Sequence, residues 1–176
     1  MKILFIGIQG SGKSTQAQLL AKTINYPFYG ISTLLRDSIN NMDAYVIASY
    51  TQSDLDSGLL APDHVIDYLV KQIKDENYVM EGYIRTPGQA KEFNKNNDGV
   101  VVELKISDQV AIDRMKARNR TDDNELVIKT RISKFKQHIA PIRDILNSYV
   151  TIDSNGTPED VNLNIVTLLE GEYNEI

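Results

Sequence analysis

The amino-acid sequence predicts an α/β fold, a parallel β-sheet covered by helices on both faces. Three observations carry this expectation. Short apolar runs recur at residues 3–6, 78–80, 100–106 and 149–152. Stretches with apolar residues at helical spacing lie between those runs. Strands that alternate with helices build parallel sheets, because each parallel strand needs a crossover to return to the same end. Finally, Val100-Val101-Val102 is apolar on successive residues, so both faces of that strand belong in a core.

The elements follow in chain order. Residues 3–6 read as a buried strand. Lys2 ahead of a short apolar run resembles a stunted signal peptide, but glycine-rich and charged sequence follows at once, which favours the strand. A helix to about residue 24 comes next. Val65, Ile66, Leu69, Val70 and Ile73 repeat at helical spacing, as do Ile128, Ile132 and Phe135. Val161, Ile165, Leu168 and Leu169 share one face of a last helix, and Thr157-Pro158 supplies its cap and first turn. Repeats, low-complexity segments and Pro/Gly/Ser-rich linkers are absent from the 176 residues, so a single domain over 1–176 is expected. Open sheets of this kind bind ligands at the carboxyl ends of their strands.

Composition narrows the function classes. Apolar residues at 41% and charged residues at 24% suit a globular chain and exclude a disordered chain, a collagen or a coiled coil. The net charge of -5 argues against broad binding of nucleic acid or anionic membrane, each of which needs a basic face. The chain has no cysteine, which excludes disulfide scaffolds, cysteine zinc sites and thiol chemistry. No apolar run approaches the roughly 20 residues of a membrane span. A cytoplasmic monomer is expected, with no nucleic acid and no membrane among its partners.

Gly7-Ile8-Gln9-Gly10-Ser11-Gly12-Lys13-Ser14 matches G-x-x-x-x-G-K-[ST], directly after the first strand and at the head of a helix. Glycines let the backbone wrap a phosphate, and its N–H groups with the helix N-terminus supply positive potential. Gly10, Ser11, Gly12, Lys13, Ser14 and Thr15 are therefore candidate ATP-binding residues. Lys13 would reach the β and γ phosphates, and the hydroxyl of Ser14 or Thr15 would ligate Mg²⁺. The motif implies a nucleoside triphosphate and leaves the acceptor open.

Further motifs follow in order. Ile31-Ser32-Thr33 precedes Leu34-Leu35-Arg36, and Asp56-Ser57-Gly58-Leu59-Leu60-Ala61-Pro62-Asp63 comes later. Glu81-Gly82-Tyr83-Ile84-Arg85-Thr86-Pro87-Gly88-Gln89-Ala90 resembles D-G-F-P-R-T-x-x-Q-A. Arg114 to Arg118 and Arg120-Thr121-Asp122-Asp123 follow, with Glu125 and Arg131 beyond. Over nearly the whole chain this ordered set resembles the adenylate kinases, within the nucleoside monophosphate kinases. The resemblance implies a three-layer α/β/α P-loop kinase fold with a five-stranded parallel sheet in the order 2-3-1-4-5. It also implies a monophosphate-binding segment at about 30–60 and a minimal lid at about 114–123.

Arginine usage agrees. Lysine outnumbers arginine twelve to seven, yet six arginines match nucleotide or phosphate positions of the family: Arg36, Arg85, Arg114, Arg118, Arg120 and Arg131. Arg143 does not. A guanidinium grips phosphate bidentately and keeps its charge, and phosphoryl transfer is mostly positioning and charge neutralisation. By resemblance, Lys13, Arg36, Arg85, Arg118, Arg120 and Arg131 are the catalytic set. Arg36 and Arg85 would hold the monophosphate, Arg118, Arg120 and Arg131 would close on the moving phosphoryl group, and Arg114 would cover the triphosphate's base. Asp122 and Asp123 would pair with lid arginines or cap a helix. Thr33 and Gln89 match contacts to the acceptor base. A glutamine offers donor and acceptor together, which favours AMP. An exposed helix face is the plainer alternative for Gln89.

The chain departs from the family pattern at four places. Gly and Asp are missing between Thr33 and Leu34. Glu81 stands where the family has aspartate, and with Ser14 it is the candidate metal site. Ile84 replaces a proline that often forms a cis bond, so the backbone before Arg85 is expected to differ. Only Asn119 separates Arg118 from Arg120. His64 and His138 are read as structural. The expected reaction is transfer of the γ-phosphoryl of Mg-ATP to AMP, giving two ADP. The alternatives are a pyrimidine or deoxynucleoside monophosphate as acceptor, or a nucleotide-binding protein or weak ATPase that has lost efficient transfer.

Overall fold

A computed structural model describes residues 1–57, 59–96, 99–117 and 125–173. Its elements run β1 (Lys2–Gly7), α1 (Lys13–Thr23), β2 (Phe28–Gly30), α2 (Ile31–Asn40), α3 (Ala44–Ile47), α4 (Gln52–Asp56), α5 (Asp63–Lys71), β3 (Tyr78–Glu81), α6 (Pro87–Asn96), β4 (Gly99–Lys105), α7 (Asp108–Ala117), α8 (Glu125–Ile145), β5 (Tyr149–Asp153) and α9 (Pro158–Tyr173). The five strands form one sheet in the order β2-β3-β1-β4-β5, parallel throughout. This is the expected fold class, strand count and order.

The period of two along each strand builds the three layers. In β1, Leu4 and Ile6 point to one core, with Leu35, Ile66, Leu69, Ile139 and Ile142 from α2, α5 and α8. Ile3 and Phe5 point to the other, with Ala17, Leu20, Val161, Ile165 and Leu169 from α1 and α9. β4 divides likewise, Val101 to the first face and Val100, Val102 and Leu104 to the second. All three valines are fully buried. Burying each such side chain contributes about 1.5–3 kcal/mol over leaving it in water. A smaller cluster joins Ile8 after β1 to Ala111 and Met115 of α7 and Ile128 and Ile132 of α8.

Some boundaries differ from the periodic reading. β2 has three residues, too few to show a repeat, and no apolar run marks it. Ile73 lies beyond the end of α5. Its N–H donates to the Val70 carbonyl at 3.1 Å, so it joins the core from a turn, not from the helix. Thr157 caps α9 as expected, its Oγ1 accepting the Asp160 N–H at 3.2 Å. The described peptide bonds are trans, including that before Ile84. Among the described residues, no helix is long and apolar enough to cross a membrane.

β1 has β3 on one side and β4 on the other, so the chain changes direction across the sheet there. Such a switch opens a crevice at the strands' carboxyl ends. The segments that leave those ends are the Gly7–Ser14 loop, the turn into α2, the Gly82–Thr86 loop, residues 106–107 and the 154–157 loop.

Candidate active site

The glycine-rich loop follows β1 and runs into α1. Gly7, Gly10 and Gly12 all adopt positive φ. At Gly10 the close approach is decisive, because an added Cβ would sit 2.7 Å from the Ala111 carbonyl oxygen of α7. The Ser11 N–H turns back to the Ile8 carbonyl at 3.1 Å, and the Gln16 N–H closes the first turn of α1 on the Gly12 carbonyl at 2.9 Å. Lys13 Nζ reaches across the loop to the Gly7 and Ile8 carbonyls at 2.9 and 2.8 Å. Ser14 and Thr15 stand exposed in the first turn. The glycine-rich turn, the N-terminus of α1 and the Lys13 ammonium thus stand together, an arrangement that suits a phosphate.

Arg85 sits in the loop after β3. Its Nε donates to the Gly82 carbonyl at 3.0 Å. A Cβ on Gly82 would lie 3.1 Å from Arg85 Nη2 and 3.9 Å from the Ile31 nitrogen. The guanidinium and the first amide of α2 therefore flank the same glycine. α2 carries Thr33 and Arg36, both exposed and one turn apart. Tyr50, 2% exposed, lies close enough for the Arg85 charge to act on it. Burial pushes its hydroxyl pKa up, Arg85 pulls the other way, and the protonated hydroxyl donates to the Leu59 carbonyl at 2.6 Å.

Gln89 is 3% exposed, so the exposed-face alternative is overturned. Its Oε1 accepts the Arg85 N–H at 2.8 Å and the Thr86 N–H at 3.2 Å. Thr86 Oγ1 in turn accepts the Gln89 N–H at 3.2 Å and donates to Asp63 Oδ2 at 2.9 Å. Thr86-Pro87-Gly88-Gln89 is a capping box with proline at the first helical position. It starts α6 and pins the Arg85 backbone. The T-x-x-Q spacing is the signal that a reading of local chemistry would have caught.

Glu81 ends β3, half-buried, its Oε1 3.5 Å and Thr33 Oγ1 3.6 Å from where a Cβ on Gly30 would stand. Among the described residues no cluster of three or more His, Cys, Asp or Glu side chains could cage a metal. One carboxylate and one or two hydroxyls are hard oxygen donors. They fit Mg²⁺, which keeps waters and takes phosphate oxygens in place of a full protein shell.

Arg114 of α7 reaches the 154–157 loop, its Nη2 3.4 Å from the Gly156 carbonyl. Ser154, for which the sequence held no signal, is 2% exposed and donates to the Ser11 carbonyl at 2.7 Å. Arg143, the arginine without a family match, grips Glu103 of β4 with Nη2 at 2.7 and 2.8 Å and Nε at 3.0 Å. His64 faces Ser49 Oγ at 3.3 Å, and His138 Nδ1 lies 3.2 Å from the Arg85 carbonyl. Arg118, Arg120, Asp122 and Asp123 lie outside the described residues, as do the side chains of Glu125 and Arg131. A cavity of about 600 Å³ lined by Met1, Lys2, Lys74, Tyr78 and Phe93 opens at the strands' amino ends, away from this chemistry.

Comparison with known proteins agrees with the geometry. A sequence model described as adenylate kinase matches residues 5–151. The adenylate kinase of Corynebacterium urealyticum is 31% identical over 173 residues, covering 92% of this chain and 94% of the relative. That of Corynebacterium diphtheriae is 32% identical over 174 residues, covering 92% and 95%. Adenylate kinase 1 of a Nostoc species is 30% identical over 174 residues, covering 91% and 94%. A phosphate loop on β1, an arginine loop on β3 and a match along most of the chain agree, and the chain belongs to the adenylate kinase family of P-loop nucleoside monophosphate kinases.

Proposed function

We propose that the enzyme transfers the γ-phosphoryl group of ATP to AMP, giving two ADP. The observation that carries this reading is the placing of two anion-binding centres on neighbouring strands. The phosphate loop leaves β1, and Arg85 leaves β3 beside the first amide of α2. Each centre suits one nucleotide's phosphates. The acceptor oxygen on the AMP phosphate is already ionised, so no general base is required. The acceptor oxygen forms a bond to the γ-phosphorus as the bond from that phosphorus to the β-bridging oxygen breaks, and the leaving oxygen stays on the new ADP.

Lys13 and the loop amides hold the triphosphate. Arg36 and Arg85 hold the monophosphate. Arg118, Arg120 and Arg131 neutralise the moving group, and Arg114 lies over the donor's base. Ser14, with Thr15 as the alternative hydroxyl, and Glu81 would hold Mg²⁺. When bound, the ion neutralises charge on the phosphate oxygens. Residues 30–60 and 114–123 form the segments that close over the two nucleotides and exclude water.

A second reading concerns the acceptor. Both lone pairs of Gln89 Oε1 are engaged by backbone N–H groups, so only its Nε2 donors are left to meet a base. Donors alone discriminate less than a donor–acceptor pair, which supports a broader acceptor range. The test is ADP formation from Mg-ATP with each nucleoside monophosphate in turn, beside an ATP-only control. Turnover that depends on AMP supports the main reading. Equal rates with several monophosphates support the second, and slow turnover indifferent to any acceptor overturns both.

A further inference from the structure

The peptide between Ser11 and Gly12 is the one through which the 154–157 loop holds the phosphate loop. Ser154 follows β5, and its N–H donates to the Lys105 carbonyl at 2.8 Å, which extends the β4–β5 pairing by one residue. That bond fixes its Cα. Its hydroxyl, 2% exposed as a residue, then donates to the Ser11 carbonyl at 2.7 Å. Ser11's own hydroxyl does not hold the loop, being buried without a hydrogen-bond partner among the described residues. A second bond ties the helices that follow these loops, from Gln16 Nε2 of α1 to the Pro158 carbonyl at the head of α9 at 2.9 Å.

In a trans peptide the carbonyl and the next N–H point in opposite directions. Holding the Ser11 carbonyl toward Ser154 therefore turns the Gly12 N–H away from Ser154, into the row of amides at the head of α1. Gly12 sits at φ 89. A glycine there crosses to the opposite φ at little cost, so this peptide could flip and present its carbonyl oxygen where the N–H should be. A carbonyl in that place would repel a phosphate. With no Cβ on Gly12 the choice is open, and the grip on the Ser11 carbonyl settles it.

We infer that Ser154 is a positioning residue for the phosphate loop, its hydroxyl locking the Ser11–Gly12 peptide with the Gly12 N–H toward the bound phosphate. The inference rests on the loop being the triphosphate site. It goes beyond that reading by assigning a role to a residue outside the loop and its motif.

The test uses the full chain and two probes, ATP and inorganic tripolyphosphate, which carries the phosphates without a base. Calorimetry should show Ser154→Ala binding both probes about five- to tenfold more weakly, the weight of one net hydrogen bond. Ser154→Gly should do the same, and Ser154→Thr, which keeps the hydroxyl, should recover most of the affinity. The KM for the monophosphate should stay unchanged in all three. The Gly12 amide cross-peak in a ¹⁵N spectrum should shift on adding tripolyphosphate to the parent and much less in the alanine variant. Tripolyphosphate binding equal to the parent in both Ser154→Ala and Ser154→Gly overturns the inference, and so does an equal loss of monophosphate affinity. A parent chain that binds neither probe would instead overturn the reading of the loop as the triphosphate site, and the inference with it.

Discussion

Gln89 Oε1 accepts the backbone N–H of Arg85 at 2.8 Å, so the helix cap of α6 and the arginine of the β3 loop are one construction. The same oxygen accepts the Thr86 N–H, and Thr86 returns the bond to the Gln89 backbone. The cap is one task of this buried glutamine, the proposed contact with the acceptor base is a second, and the two can be separated.

Gln89→Ala removes the cap and should cost about 1 kcal/mol of stability, the usual weight of such a box. Gln89→Glu keeps the acceptor oxygens, since glutamate serves the same position in a capping box, but removes the Nε2 donors. Its urea midpoint should stay near the parent's while the KM for AMP rises. If both variants lose stability and neither changes KM, the residue is a cap alone.

Arg85→Ala should lower kcat/KM for monophosphate phosphorylation by on the order of 10²–10³, the loss of a bidentate, charge-assisted grip that positions the acceptor phosphate. ATP affinity, measured by calorimetry, should hardly move, because the triphosphate loop lies on β1. Arg85→Lys should recover little, since an ammonium lacks the planar fork. An equal fall in ATP affinity would place Arg85 on the wrong substrate.

Arg143 and Glu103 predict a stability effect without a catalytic one. Glu103 is 3% exposed and lies in β4, and Arg143 of α8 meets it with two nitrogens and Tyr149 Oη with one. Arg143→Leu would strand a buried carboxylate and should cost about 2–4 kcal/mol, below the full range for a buried pair because the arginine side chain is 37% exposed. The double change Glu103→Leu, Arg143→Leu should cost less than the single one. Urea denaturation of the three chains checks this, and a double variant less stable than the single would refute it.

Asp67 of α5 predicts a pH dependence. Burial raises its carboxyl pKa above the ordinary 3.8, the nearby Glu92 charge adds to this, and the Tyr83 hydroxyl, 3.3 Å away, opposes it. The unfolded chain therefore gives up this proton first as pH rises. The carboxyl's favourable contribution is complete below 3.8 and is lost as pH climbs through the raised value. Asp67→Asn abolishes the titration. Its Tm relative to the parent should improve across that window and stay improved at neutral pH. Melts at pH 4 and pH 7.5 decide it, and an unchanged gap between the two chains would argue against a desolvated carboxylate.

Four of the five strands were legible because a buried parallel strand is apolar on both faces, and runs such as Val100-Val101-Val102 have no other ready explanation. β2 was not, since three residues carry no period. The sheet order came from the family resemblance, because hydrophobic spacing records which residues are buried but not which strands are neighbours. The phosphate loop was legible residue by residue. Gln89 was singled out as a candidate contact to the acceptor base and not as the partner of the Arg85 backbone, although T-x-x-Q spells that cap. Glu103 and Arg143 are 40 positions apart, and no local pattern joins them.

The sequence by itself determined the alternation of strand and helix and the phosphate-loop motif, because each is written in local spacing, whereas the roles of the arginines came from the family resemblance. Tertiary structure alone decided what meets across the crevice. Ser154 reached the Ser11 carbonyl, and Arg85 reached the head of α2, because parallel pairing brings the carboxyl ends of all five strands to one edge. Packing of the two faces then sets the register at which those ends stop. Contacts between residues so far apart in the chain arise from that shared edge, and a one-dimensional pattern has no means of expressing it.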